Sequence, residues 1–154
     1  MFTVNEIIQI AASFCGTLGF CVLFNMRGKR VVFSSLGAMV AWVLYLLLNR
    51  VLPNDILCYL IVSLIMAVYS EIFAYALKTP AITFCIMSLN PLLPGSALYY
   101  SIVYALRGET QNFLEKALHT LGLATALSVG IVFIAAFTNY VKSFLPRRLR
   151  TADR

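Results

Sequence analysis

Apolar residues in this chain come in long blocks separated by short polar segments. The blocks run from about Val4 to Phe24, Val31 to Leu48, Ile56 to Leu77, Pro80 to Leu106 and Ala117 to Phe144. Each approaches or exceeds the roughly 20 residues that a helix needs to cross about 30 Å of hydrocarbon. The pattern predicts an all-α fold, an integral membrane bundle of five transmembrane helices. They form a single transmembrane domain over 1–154, with spans near 4–24, 31–48, 56–77, 80–106 and 117–144 and a basic tail at 146–154. Small residues recur about one turn apart at Ala12, Gly16 and Gly19, at Gly37 and Ala41, and at Gly122, Ala126 and Gly130. Such faces let helices approach closely. Trp42 lies too deep in its block to anchor at headgroups and is expected to pack between helices.

The fourth block cannot cross as one unbroken helix. Its centre reads Asn90-Pro91-Leu92-Leu93-Pro94-Gly95-Ser96. Pro91 withholds the donor that the Met87 carbonyl would use, and Pro94 does the same to Asn90. Gly95 permits a sharp turn, and Ser96 can cap the helix that follows. The expectation is two half-helices, broken at Pro91–Gly95, with open backbone between them. Irregular backbone at membrane depth survives only inside protein or beside a wet cavity, and in transporters such breaks bind substrate.

Composition narrows the class. The chain is 61% hydrophobic and 12% charged, against about 45–50% and 25% for soluble domains. The net charge of +6 does not indicate nucleic acid, because the bases sit in short loops and the tail. With the N-terminus outside, Arg27, Lys29, Arg30, Lys78, Lys142, Arg147, Arg148, Arg150 and Arg154 are cytoplasmic. Only Arg50, Arg107 and Lys116 then face outward. That bias predicts an external N-terminus and a cytoplasmic C-terminus. The first residues carry no base, so the first block reads as a retained span and not as a secretory signal. Cys15, Cys21, Cys58 and Cys85 lie within apolar blocks, match no metal spacing and read as small apolar filler.

Candidate chemistry centres on the break. The N-terminus of the second half-helix suits an anion such as a carboxylate. Asn90, Pro91, Pro94, Gly95, Ser96 and Tyr99 are therefore the expected substrate-binding residues, with Tyr100 and Tyr104 one turn further along. Glu71 is costly inside a span and wants a partner or a wet cavity. It can pair with Lys78 near the cytoplasmic end, or face the broken helix and couple a proton. His119 is isolated in the sequence and reads as interfacial. No catalytic residues, metal site or cofactor motif is expected.

The segments Glu71-Ile72-Phe73-Ala74-Tyr75-Ala76-Leu77-Lys78-Thr79-Pro80-Ala81 and Asn90-Pro91-Leu92-Leu93-Pro94-Gly95-Ser96-Ala97-Leu98-Tyr99-Tyr100 resemble the threonine/serine exporter family. Within it the chain is similar to the small five-span subunit that corresponds to the C-terminal half of the long exporters. The resemblance implies a bacterial plasma-membrane exporter of hydroxy amino acids or C4 dicarboxylates. It also implies a larger membrane subunit as partner, carrying the N-terminal half. The sequence itself suggests an incomplete unit, since many transporters pair two repeated halves. Two other classes compete with a transporter subunit. One is a non-transporting scaffold that stabilises a larger membrane protein, with the break merely a packing device; the Gly122/Ala126/Gly130 face fits it equally well. The other is a membrane enzyme, for which no clustered polar groups speak.

Overall fold

A computed structural model describes residues 3–144. All regular structure among them is helical: α1 (Val4–Leu23), α2 (Lys29–Val51), α3 (Asp55–Leu77), α4 (Ala81–Leu89), α5 (Gly95–Leu106) and α6 (Thr110–Phe144), with a 3-10 turn at Asn90–Leu92. The basic tail at 146–154 lies outside the described residues.

Helix ends follow local chemistry. Thr3 and Glu6 form a reciprocal capping box at the start of α1. Glu6 also accepts from Arg50 Nη2 at 2.7 Å, and Gln9 Oε1 accepts from Trp42 Nε1 at 3.3 Å. The beginning of α1 is thereby tied to the end of α2. Trp42 lies between these helices, its ring 5.3 Å from that of Tyr45. The Asn54 side chain caps α3 through the amide of Ile56 at 3.0 Å. At the other end Lys78 turns left-handed (φ 49°), and the Thr79 amide donates back to the Ala74 carbonyl.

Two helices outrun their apolar blocks. α2 takes in Lys29 and Arg30 at its start, where long side chains can reach headgroups, and Asn49 to Val51 at its end, where Arg50 holds Glu6. α6 starts at Thr110, well before Ala117. The Glu109 carbonyl accepts from the Phe113 amide at 2.9 Å, and its carboxylate accepts from Asn112 Nδ2 at 2.7 Å. Polar residues suit a first helical turn, so hydropathy alone places this start too late.

Contacts along α3 and α6 fix the topology. Asp55 meets His119, the Gly122 position meets Ile56, and Ser63 meets Ala126 and Gly130. Glu71 shares a cavity wall with Ile131, Ile134 and Ala135. Residue numbers rise together, so α3 and α6 are parallel neighbours. The chain must therefore return across the bundle between them, and α4 with α5 makes that return as a bent pair. Among the described residues four helices are long and apolar enough to cross a membrane alone, and the bent pair, angled at 56°, has the length and composition for a fifth crossing.

The core joins α2, α3, α4 and α6 through Ala41, Val62, Met66, Cys85, Leu89, Leu92 and Leu127. Gly122, Ala126 and Gly130 are spent within this chain, against α3. Ser63 Oγ donates to the Leu60 carbonyl at 2.8 Å and approaches that of Ala126 at 3.3 Å. The other small face differs. Ala12, Gly16 and Gly19 are exposed, and a Cβ on either glycine would meet open space.

Candidate functional site

Most of the backbone freed at the break is bonded again locally. The Met87 carbonyl accepts from the Asn90 amide, and the Asn90 carbonyl accepts from the Leu93 amide at 3.2 Å. The Gly95 amide donates to the Leu93 carbonyl at 2.7 Å and that of Leu98 to Pro94 at 3.0 Å. This 3-10 tightening replaces the open carbonyls expected from the two prolines. Pro94, not Ser96, occupies the N-cap of α5, and no side chain caps it. The first-turn amides of Ser96 and Ala97 are of the kind that a helix cannot use internally.

Beside them is a cleft of about 230 Å³, lined by Tyr45, Asp55, Tyr59, Pro94, Ser96, Ala97, Tyr100, Lys116, His119 and Leu123. Each element contributes one face. Ser96, Ala97 and Tyr100 lie within a turn on α5, Asp55 and Tyr59 are four apart on α3, and Lys116, His119 and Leu123 follow helical spacing on α6. Tyr59 and Leu123 also belong to the core, so they form an apolar floor. Asp55 Oδ2 stands 3.7 Å from His119 Nε2, with the two side chains 41% and 38% exposed. This is a loose polar contact, an ion pair only when the imidazole is protonated, and too long for a hydrogen bond. The cleft thus combines a carboxylate, an ammonium, an imidazole and several hydroxyls over a hydrophobic base.

The residues expected at the site divide. Pro94 and Ser96 line the cleft. Asn90 and Pro91 are half-buried on the α4 side of the bend, whereas Gly95 and Tyr99 are exposed and outside the cleft wall. The Tyr99 ring packs edge-on against Tyr100, 5.5 Å between centroids. Glu71 lines a separate cavity of about 80 Å³ with Ala67, Ser70, Ala81, Ile82, Cys85 and the α6 residues Ile131, Ile134 and Ala135. It faces the first turns of α4, some 24 Å along α3 from Asp55 at helical rise. Asp55, Lys116 and His119 emerge only in the fold. The traceable signal is the K-x-x-H-x-x-x-L spacing on α6 and D-x-x-x-Y on α3, each of which reads alone as an ordinary helix start.

A broken membrane helix beside a small polar cleft is a solute-carrier arrangement. The model of the threonine/serine exporter family, ThrE, matches residues 9–137. The chain belongs to that family. No curated protein and no solved structure matches it. As a threonine/serine exporter-type transporter it is a multi-pass membrane protein, built from the apolar helices described above. The cleft presents charges of both signs, Asp55 and Lys116, on different helices.

Proposed function

We propose that this chain is the smaller half of a two-subunit exporter in a bacterial inner membrane. Its N-terminus is outside, its C-terminus cytoplasmic, and its cargo is a threonine- or serine-type metabolite. The observation that carries this reading is the position of the break: Pro94 and Ser96 sit in the wall of a cleft that also holds Asp55, Lys116 and His119. A volume of about 230 Å³ is below the roughly 300–1,000 Å³ of drug-sized pockets, which favours a small metabolite. C4 dicarboxylates are the other cargo class consistent with the family. The exposed Ala12/Gly16/Gly19 face of α1 supports a partner, because it leaves room for a helix from another chain. Gly122, Ala126 and Gly130 pack on α3 and so do not offer a partner their face. We assign proton coupling to Glu71, which lines a cavity at the far end of the same α3–α6 seam.

Efflux of labelled threonine from vesicles containing this chain and its larger subunit tests the reading. Pro94→Ala restores a backbone donor at the bend and is expected to cut efflux about tenfold or more, since substrate sites in such carriers depend on the helix interruption. Normal efflux from that variant, or from vesicles lacking this chain altogether, overturns the reading. Glu71→Gln is expected to leave threonine binding intact while making efflux insensitive to an imposed proton gradient. Unchanged gradient dependence removes Glu71 from coupling.

A further inference from the structure

We propose that Asp55 is the specificity-determining residue of the cleft, the carboxylate that receives the ammonium group of an α-amino acid and turns dicarboxylates away. The inference rests on the substrate-site reading above and deepens it. Three features of the cleft lead to it. Its described lining contains a single carboxylate, Asp55, and a single ammonium, Lys116, contributed by different helices. A zwitterion presents both complementary charges, so each lining charge meets its opposite. A dicarboxylate would satisfy Lys116 but set its second carboxylate among groups that include Asp55, and like charges in a partly dry site repel strongly. Specificity here follows from that repulsion as much as from any attraction.

The second feature is the state of Asp55. Among the described residues its carboxylate meets His119 at 3.7 Å, and both side chains are partly open. An incoming ammonium can approach Asp55 within hydrogen-bonding distance, where a charge-assisted bond is shorter and stronger than the existing contact. His119 then stays as a neighbour that completes the wall. The third feature is the polar equipment on α5. Ser96 and Ala97 line the same cleft as Lys116, and the Ser96 hydroxyl and the uncapped first-turn amides can serve a carboxylate or a cargo hydroxyl. The rings of Tyr45, Tyr59 and Tyr100 limit the space left for a side chain, which selects small amino acids.

The test measures efflux of labelled threonine and of labelled succinate from the reconstituted complex of full-length chains, together with cross-competition. For the native chain, threonine is expected to be exported and succinate to compete poorly. Asp55→Asn, nearly the same shape without the charge, should reduce threonine handling roughly ten- to hundredfold, the worth of a hydrogen bond to a charged group. Succinate should compete better in that variant than in the native chain. Asp55→Glu, which keeps the charge, should retain most threonine export and guards against a folding defect, with monodispersity in detergent checked for both. Unchanged threonine preference in Asp55→Asn overturns the proposal, as does equal loss in Asp55→Glu and Asp55→Asn when both remain monodisperse. Ser96→Trp fills the cleft. If it leaves threonine export untouched, the cleft is not the substrate site and the underlying reading fails, an outcome distinct from failure at Asp55 alone.

Discussion

Gly130 and Gly16 are both glycines in apolar helices, and their surroundings could hardly differ more. A Cβ on Gly130 would collide with the Ser63 hydroxyl, lie 2.8 Å from Ser63 Cβ and reach 3.1 Å from the backbone nitrogen of Leu64. The last contact is with main chain, so the neighbour cannot swing aside. On Gly16 the same atom would meet nothing within 4 Å. Gly130→Ala should therefore destabilise the chain by about 1–3 kcal/mol through overpacking, while Gly16→Ala should be neutral or slightly stabilising. Thermal melting of the two purified variants in one detergent checks this, and equal melting temperatures would contradict the packing. A small-residue stripe in the sequence marks a place where backbones can meet, yet only the fold says which stripe is filled. Asp55 makes the same point for polar groups. In the sequence it follows a Pro53-Asn54 turn and looks like a solvated helix start. The structure brings it beside His119 from the far end of the chain.

At the scale of elements the apolar blocks mapped closely onto helices, because membrane spans are set by length and hydropathy more than by subtle periodicity. Polar first and last turns were the blind spot. α2 keeps Lys29 and Arg30, and α6 begins at Thr110, where capping and side-chain hydrogen bonds decide the boundary. The fourth span was legible as broken, since two prolines three residues apart cannot both sit in a regular helix. Its interior was not. Proline chemistry identifies which carbonyls are freed but does not say that the Asn90 and Leu93 amides will reclaim them. The 56° bend is then a tightened corner and not an open gap. The Pro94→Ala variant can be read geometrically as well. Spin labels at the exposed positions Ile82 and Ile102 should move apart toward the roughly 30 Å of an unbroken helix at 1.5 Å rise per residue.

The whole molecule is governed by the parallel placement of α3 and α6. Antiparallel neighbours follow from short connections, whereas a parallel pair obliges the intervening chain to traverse the bundle. The bent pair is therefore a crossing and not a re-entrant loop, and the loops at Gly28 and Gly108 belong on opposite faces. Single cysteines at these two positions, in a chain whose native cysteines are replaced by serine or alanine, provide the check. A membrane-impermeant maleimide added to intact cells should label Gly108→Cys, and Gly28→Cys should react only after permeabilisation. Labelling of both from one side would exclude five crossings. The external assignment of Gly108 comes from the distribution of arginine and lysine, and the opposition of the two loops comes from the fold.

The close approach of Gly130 to Ser63 and Leu64 lies between two hollows: the charged cleft toward the start of α3 and the smaller chamber beside Glu71. No solute fits through a place where a methyl group does not. Traffic between the hollows would require α3 and α6 to part like the leaves of a door, or would have to skirt them along a neighbouring chain. Either way, the glycine that lets the two leaves shut flush would be the element that keeps the membrane sealed between turnovers.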